Sequence, residues 1–485
     1  MSPVFLFSFV VAYFLILLLV AWYTGRNSNN ESFFIGNKSS NWMLVAFGMV
    51  GTSLSGVTFV SVPGAVAKES FAYFQVTLGY LIGYVVIAYV LLPLYYRLNL
   101  TSIYNYLHKR LGFTSYKTGA GFFILSRTLG ATARLYLVVN ILQDAILNSF
   151  NIPFWATTLI ILVMILLYTF EGGVKTIVWT DTLQTTCMLL GLVICVVYIL
   201  SNLHMGFGDS LQAMHEKGYS RIFFTNPDSK LFFVKQVLAG AFITITMTGM
   251  DQEMMQKNIS VKTLKNSQKN VISMSIVLSA VILIFLFLGG LLYLYATQLN
   301  LPVTGDKLFP AIALQHMPPF VSVIFIIALI SALFPSADGA ITALTSTFCI
   351  DIIGMQRRND LTDTQKKKMR QRVHLSFAAL FLVFVMVFKW INDSSMIGLI
   401  LKVATFTYGP LLGLFTFGIL LKRSVKDKWV PVVCIASPVI CFILDKFQKQ
   451  LFGSFELGLE LLIINGLITF IGLWLISKPS DAARL

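Results

Sequence analysis

Residues 42–67 read WMLVAFGMVGTSLSGVTFVSVPGAVA, and the centre of that stretch decides how the rest of the chain is read. The stretch is long and apolar enough to cross a bilayer as one helix, for which about 20 residues suffice. Yet Gly51-Thr52-Ser53-Leu54-Ser55-Gly56-Val57-Thr58 sets glycines and hydroxyl side chains at mid-membrane depth, and Pro63-Gly64 follows. Small residues also let helices approach closely, but this many exceed what packing needs. The run predicts a helix interrupted near the midplane, whose freed carbonyls can face a cation.

The composition places that helix in lipid. Of 485 residues 56% are hydrophobic and only 12% charged, where soluble domains carry roughly 45–50% and 25%. An ordinary soluble enzyme is excluded. Thirteen apolar stretches are closed by polar punctuation: 3–23, 42–67, 74–98, 118–147, 153–170, 177–200, 231–254, 271–296, 320–349, 374–391, 395–421, 428–446 and 458–477. The first lacks a basic start and a cleavage site, so it reads as a retained helix. An odd number of spans puts the termini on opposite sides of the membrane. With the N-terminus outside and the C-terminus cytoplasmic, the inward segments hold 24 of the 36 basic residues, Arg26, Lys257 and Arg484 among them, and the outward ones 8. The formal charge of +15 is thus a topology signal, and no nucleic-acid partner is needed to explain it. No connection is large enough for a soluble module and no phosphate-binding G-x-x-x-x-G-K-[ST] occurs, so any transport must be driven by gradients. Cys187, Cys195, Cys349, Cys434 and Cys441 show no disulfide or zinc pattern.

A second span carries a polar stripe. In Ser331-Ala332-Leu333-Phe334-Pro335-Ser336-Ala337-Asp338-Gly339, the residues Ala332, Ser336 and Gly339 share one side of a helix, with Pro335 at its edge. Pro335 lacks a backbone donor and leaves a carbonyl near Ser331 open to an ion or water; a simple kink is the alternative. Acids at membrane depth cost roughly 2.5–3.5 kcal/mol on insertion scales and are functional candidates. Asp181 and Asp338 are the two that stand out. Asp181 lies about a turn into its span, so an interfacial carboxylate is an alternative, and Asp338 has Arg134 or Lys402 as possible structural partners. Arg127 and Arg134, seven residues apart, face the bundle and read as structural ion-pairing or snorkelling groups. Asp251 and Gln252 are expected to end their span at the inner surface. The five His residues are scattered and suggest no chemistry.

Taken in order, these segments resemble the sodium/solute symporter family of sodium-coupled sugar, proline, sialic acid and iodide carriers. The resemblance covers most of the chain. Its strongest parts are EGGVKTIVWTDTLQ at 171–184 and TSIYNYLHKR at 101–110 after Leu92-Pro93. ARLYL at 133–137, GMDQEMMQ at 249–256, DKLFPAI at 306–312, SALFPSADGAITALTSTFCIDI at 331–352 and YGPLLGLF at 408–415 complete the set. The resemblance implies an all-α integral membrane protein of about thirteen transmembrane helices with a LeuT-type core. Inverted five-helix repeats would occupy 42–200 and 231–421, with one helix before, 3–23, and two after, 428–477.

The same resemblance implies a sodium site shared across the family, with carbonyls at Gly51, Leu54 and Ala332 and hydroxyl positions at Pro335 and Ser336. Pro335 has no side-chain oxygen, which makes Asp338 the candidate to compensate. A second ion site, found in some members, would involve Asp181 together with Asp338 and Gly339, where hydroxyls usually stand; the two acids could instead share a proton. For the solute, the resemblance points to the broken span and to Thr58, with Gln75 and Thr77 as polar residues entering the next span. Apart from Lys402, these spans offer no evident anchor for a substrate carboxylate.

The function these readings support is a secondary active transporter in the plasma membrane, performing sodium-coupled symport of a small polar organic solute or anion by alternating access. It would act as a monomer in the lipid bilayer, with Na+ as coupling ion and no cofactor. A proton-coupled or ion-independent carrier, or a channel or sensor on the same scaffold, is the alternative. A membrane-embedded enzyme using Asp181 and Asp338 lacks any accompanying nucleophile motif.

Overall fold

The computed structural model of the chain describes residues 3–25, 30–170, 173–391 and 396–479. Arg26, Glu171, Gly172 and Arg484, used above in the charge pattern and the signature, lie outside the described residues. Backbone polar groups in lipid must be satisfied within each segment, so apolar stretches fold as helices. In chain order these are α1 (Pro3–Thr24), α2 (Trp42–Ser53), α3 (Gly56–Glu69), α4 (Tyr73–Arg97), α5 (Phe113–Ala145), α6 (Phe154–Thr169), α7 (Gly173–Leu203), α8 (Phe233–Gly249) and α9 (Gln252–Ile259). There follow α10 (Leu264–Gln298), α11 (Pro319–Ile352), α12 (Asp363–Ile391), α13 (Met396–Thr407), α14 (Gly409–Leu420), α15 (Asp427–Lys446) and α16 (Leu461–Leu475). Among the described residues, 8 helices are long and apolar enough to cross alone, or up to 11 if each of three bent pairs counts as one span. The shorter α6 and α16 fall on two further expected stretches.

The expected interruption of the second span is present. α2 and α3 meet at 53°, and Leu54 at the break has non-helical φ −90° and ψ 63°. Another break, which the sequence reading did not foresee, separates α8 from α9 by 65°. It follows a wide π-helical turn at Ile245–Gly249, and Asp251 caps α9 by accepting from the backbone N–H groups of Glu253 at 2.9 Å and Met254 at 3.3 Å. Capping satisfies donors that a new helix end would otherwise expose, which makes the break tolerable inside the protein. Asp251 and Gln252, expected where this span ends, lie just beyond its last residue, Gly249; both are buried, and the Gln252 amide joins Ile103 N and Thr101 O at 3.0 Å each. The third pair, α13 and α14, bends by 45° ahead of Pro410.

α11 is the central post. It is helical straight through Pro335, and nearly every residue from Leu329 to Thr347 is buried. α7 packs along both α11 and α2. The approach of α2 to α7 requires glycine, since a β-carbon on Gly51 would overlap the Thr185 side chain. A short antiparallel ribbon of β1 (Arg423–Val425) and β2 (Ser477–Pro479) ties the end of α14 to the C-terminal segment. The lipid-facing sides carry large exposed apolar groups, as on α15 with Val432, Ile435, Val439 and Phe442.

Candidate functional site

Beside the α2–α3 break lies a cavity of about 100 Å³, enough for several waters or part of a small solute. The break contributes Thr52, Ser53, Leu54, Ser55 and Thr58, while α4 contributes Tyr73, Tyr80 and Tyr84. Arg127 and Arg134 enter from α5, Thr244, Met247 and Thr248 from α8, and Ile397, Ile400 and Leu401 from α13. A wider cavity of about 320 Å³ adjoins it and runs out between Glu69, Lys230, Lys402 and Asp445. Tyr73, Ile397 and Leu401 line both, so these three side chains form the partition between vestibule and centre.

Thr58 faces the central cavity; Gln75 and Thr77 do not line it. The Gln75 amide donates to Leu231 O at 3.1 Å and accepts from Phe224 N at 3.2 Å, holding the loop before α8. Thr77 is enclosed and its hydroxyl returns to Tyr73 O at 3.2 Å. The tyrosines of α4 take the place expected of these two, and the hydroxyls of Tyr73 and Tyr80 lie 3.1 Å apart. Lys402 stands in the vestibule, bound to Asp445 at 2.8 Å, and is not a central anchor.

The two arginines of α5 differ sharply. Arg127 is ion-paired with Glu253 and lies 3.8 Å from Asp251 Oδ2, the oxygen that also accepts from the Tyr408 hydroxyl at 2.8 Å. Arg134 lines the same cavity and makes no ion pair or hydrogen bond among the described residues. It is not the partner of Asp338. That carboxylate accepts from the Tyr168 hydroxyl at 2.7 Å and from the N–H of Gly339.

Around the break, Gly51 and Leu54 end α2 while α11 packs against both halves of the broken span. A β-carbon on Gly56 would lie 3.8 Å from the Leu333 backbone, so the break runs beside the 332–336 turn. Ala332 is buried there, and the Ser336 hydroxyl donates to Leu333 O at 2.8 Å, which leaves its lone pairs free to accept a cation. Ser331 turns the other way and bonds the Tyr13 hydroxyl of α1 at 2.6 Å. Pro335 brings no side-chain oxygen, and Asp338 is engaged with Tyr168 of α6.

Asp181 is fully buried rather than interfacial. Its Oδ2 receives the Lys257 ammonium at 2.7 Å and lies 3.1 Å from the Thr52 hydroxyl, which itself is 2.8 Å from Lys257. Lys257 therefore does not belong among the inward loop charges; its side chain is 2% exposed. Asp338 interacts electrostatically with Asp181, Lys257 and Glu253. Sequence reasoning missed Lys257 and Glu253. The available signal was the spacing of Asp251, Glu253 and Lys257 just after Gly249, a helix cap followed by an i, i+4 ion pair of 3.9 Å.

The Sodium:solute symporter family model matches residues 33–427. The chain belongs to this family. Family membership makes it an integral membrane transporter, sodium-coupled, with Na+ and a small solute as partners. The sodium/sialic acid symporter of Aliivibrio fischeri is 22% identical over 94% of this chain and 91% of its own length. The mouse sodium-coupled monocarboxylate transporter 1 is 25% identical over 82% of this chain and 65% of its own, and the human sodium/iodide cotransporter 24% over 82% and 62%. In fold, the symporter resembles a solved Na+-coupled sialic acid symporter in a substrate-bound outward-open state, with TM-score 0.83 at 19% identity over 98% and 99% of the two chains. A nucleobase-cation-symport-1 family transporter in a closed conformation gives 0.57 at 11% over 92% and 93%.

Proposed function

We propose that this symporter couples inward sodium flow to the uptake of a small anionic solute, carboxylates foremost, across the plasma membrane. One observation carries the choice of anion: Arg134 faces the central cavity, beside the broken helix, and makes no ion pair or hydrogen bond among the described residues. A guanidinium in a water-poor cavity gains most from a planar anion that it can bind through two parallel hydrogen bonds. The hydroxyls of Tyr73 and Tyr80 supply further polar contacts, and Thr58 stands across the cavity. Three of the relatives are named for sialic acid, monocarboxylates and iodide, all of them anions.

In this reading sodium binds between the α2–α3 break and α11, held by carbonyls of Gly51, Leu54 and Ala332 and by the Ser336 hydroxyl. Pro335 contributes nothing, and Asp338 acts from the Asp181 side instead. Sodium stabilises the state in which the break and the solute cavity are both formed, and solute binding then favours closure. One charge moving through 100 mV contributes about 2.3 kcal/mol before any concentration term. Thirteen crossings in two inverted repeats, 42–200 and 231–421, fit the presence of a broken helix at the start of each. The N-terminus is outside, the C-terminus cytoplasmic, the monomer is the working unit, and no cofactor takes part.

The test is the melting temperature of the purified protein in sodium chloride against choline chloride at equal ionic strength, with and without a panel of small carboxylates. Sodium-specific stabilisation, enlarged by a carboxylate and absent with its neutral amide, supports the reading. No sodium effect together with a strong pH dependence would favour the proton-coupled alternative.

A further inference from the structure

Lys257 has three N–H donors and three oxygens around it: Asp181 Oδ2 at 2.7 Å, Thr52 Oγ1 at 2.8 Å and Glu253 Oε1 at 3.9 Å. These oxygens come from α7, from the end of α2 and from α9. The helix α11 makes room for the arm that brings them together. A β-carbon on Gly339 would overlap Glu253 Oε1, so glycine at that position leaves the Glu253 carboxylate its place beside Lys257. Among the described residues no three acids converge as they would around a metal ion. Asp181 Oδ1 has no hydrogen-bond partner among the described residues, yet a free cation bound there would sit within a few ångströms of the ammonium, where like charges repel strongly at low dielectric.

From this geometry we infer that the Lys257 ammonium is a tethered cation that permanently fills the position facing Asp181, so that a single sodium ion, held at the α2–α3 break, moves with each solute. The cation at Asp181 is covalently part of α9. It neutralises the acid in every state without dissociating, and it links α9 to α7 and α2 through charge. This inference rests on the sodium-coupled reading above, and Lys257 is a coupling-determining residue within it.

The experiment is a sodium titration of thermal stability on the full-length protein, in a choline background at constant ionic strength. The wild type should show the concentration dependence of one bound ion. Lys257→Ala, which uncovers Asp181, should gain the dependence of a second sodium ion or be stabilised by millimolar methylammonium, which leaves the wild type unchanged. Should Lys257→Ala fail to fold, the neutral pair Asp181→Asn with Lys257→Met serves instead and should keep the one-ion response. A two-ion response in the wild type that drops to one in that neutral pair would overturn the inference, because a mobile cation would then occupy Asp181. So would a Lys257→Ala protein that folds and responds to neither added cation. Methylammonium stabilisation of Lys257→Ala in a protein indifferent to sodium would leave the tethered cation standing and refute the sodium reading on which its coupling role depends.

Discussion

Arg127 and Arg134 stand seven residues apart on α5 and line the same cavity, yet among the described residues only Arg127 is paired with carboxylates. In the proposed reading these two identical side chains have separate functions, one neutralising the protein's own acids and the other binding the solute. Arg134→Gln should weaken binding of an anionic solute by about 1.5–3 kcal/mol, the usual range for a hydrogen bond to a charged group. Arg134→Lys should recover only part of it, because a point charge cannot make the bidentate contact. Isothermal calorimetry with a bound carboxylate, run beside a sodium melt that stays unchanged, checks both; equal solute affinity in all three proteins contradicts the assignment.

Arg127→Met should be costly to stability. It leaves Asp251 buried without a cation and Glu253 with only the more distant Lys257, a loss of about 3–5 kcal/mol for a broken buried pair. Adding Glu253→Gln to the same protein should recover much of that loss. Denaturation of the two variants in detergent distinguishes an ion pair from mere packing, since a packing role gives additive losses.

At the break, Ser336 is the hydroxyl that α11 offers and Pro335 the one it lacks. Ser336→Ala should reduce sodium-specific stabilisation by about 0.5–3 kcal/mol, whereas Pro335→Ser should raise apparent sodium affinity by adding an oxygen to a compact shell. Opposite shifts in the sodium midpoint of the melt are the expected result. Identical midpoints in both variants would remove α11 from the site.

Gly339→Ala should displace Glu253 from its place beside Lys257. Overpacking of this kind costs about 1–3 kcal/mol. Combining it with Glu253→Ala should relieve that cost, so the double variant should melt above the sum of the single losses.

The break between α2 and α3 was legible because its cause is local: glycines and hydroxyls crowd one turn of an otherwise apolar stretch. The break between α8 and α9 depends on distant partners. Asp251 caps the new helix while the segment 101–103 receives Gln252, and neither contact is visible from residues 231–254 alone. Lys257 reads as a loop charge from the sequence for the same reason, since only the fold brings Asp181 to it. Intramembrane Arg134 is recognisable from its span, but that it makes no ion pair among the described residues is a property of the packed bundle. Gln75 and Thr77 show the converse: polarity in a span marks a side chain that needs a partner, and these two found theirs in a loop carbonyl and in their own helix. The bulk pattern of spans needed no tertiary information, because lipid imposes it on each segment separately.

In the proposed cycle sodium entry drives an anion inward through the cavity at Arg134. Protein reconstituted into liposomes, adsorbed on a solid-supported membrane and exposed to small carboxylates or their neutral amides, reports this as transient current. Current is expected when a carboxylate is added under an inward sodium gradient, and none when choline replaces sodium or an amide replaces the carboxylate. Carboxylate-evoked current of equal size in choline, or amides that serve as well as carboxylates, would contradict it.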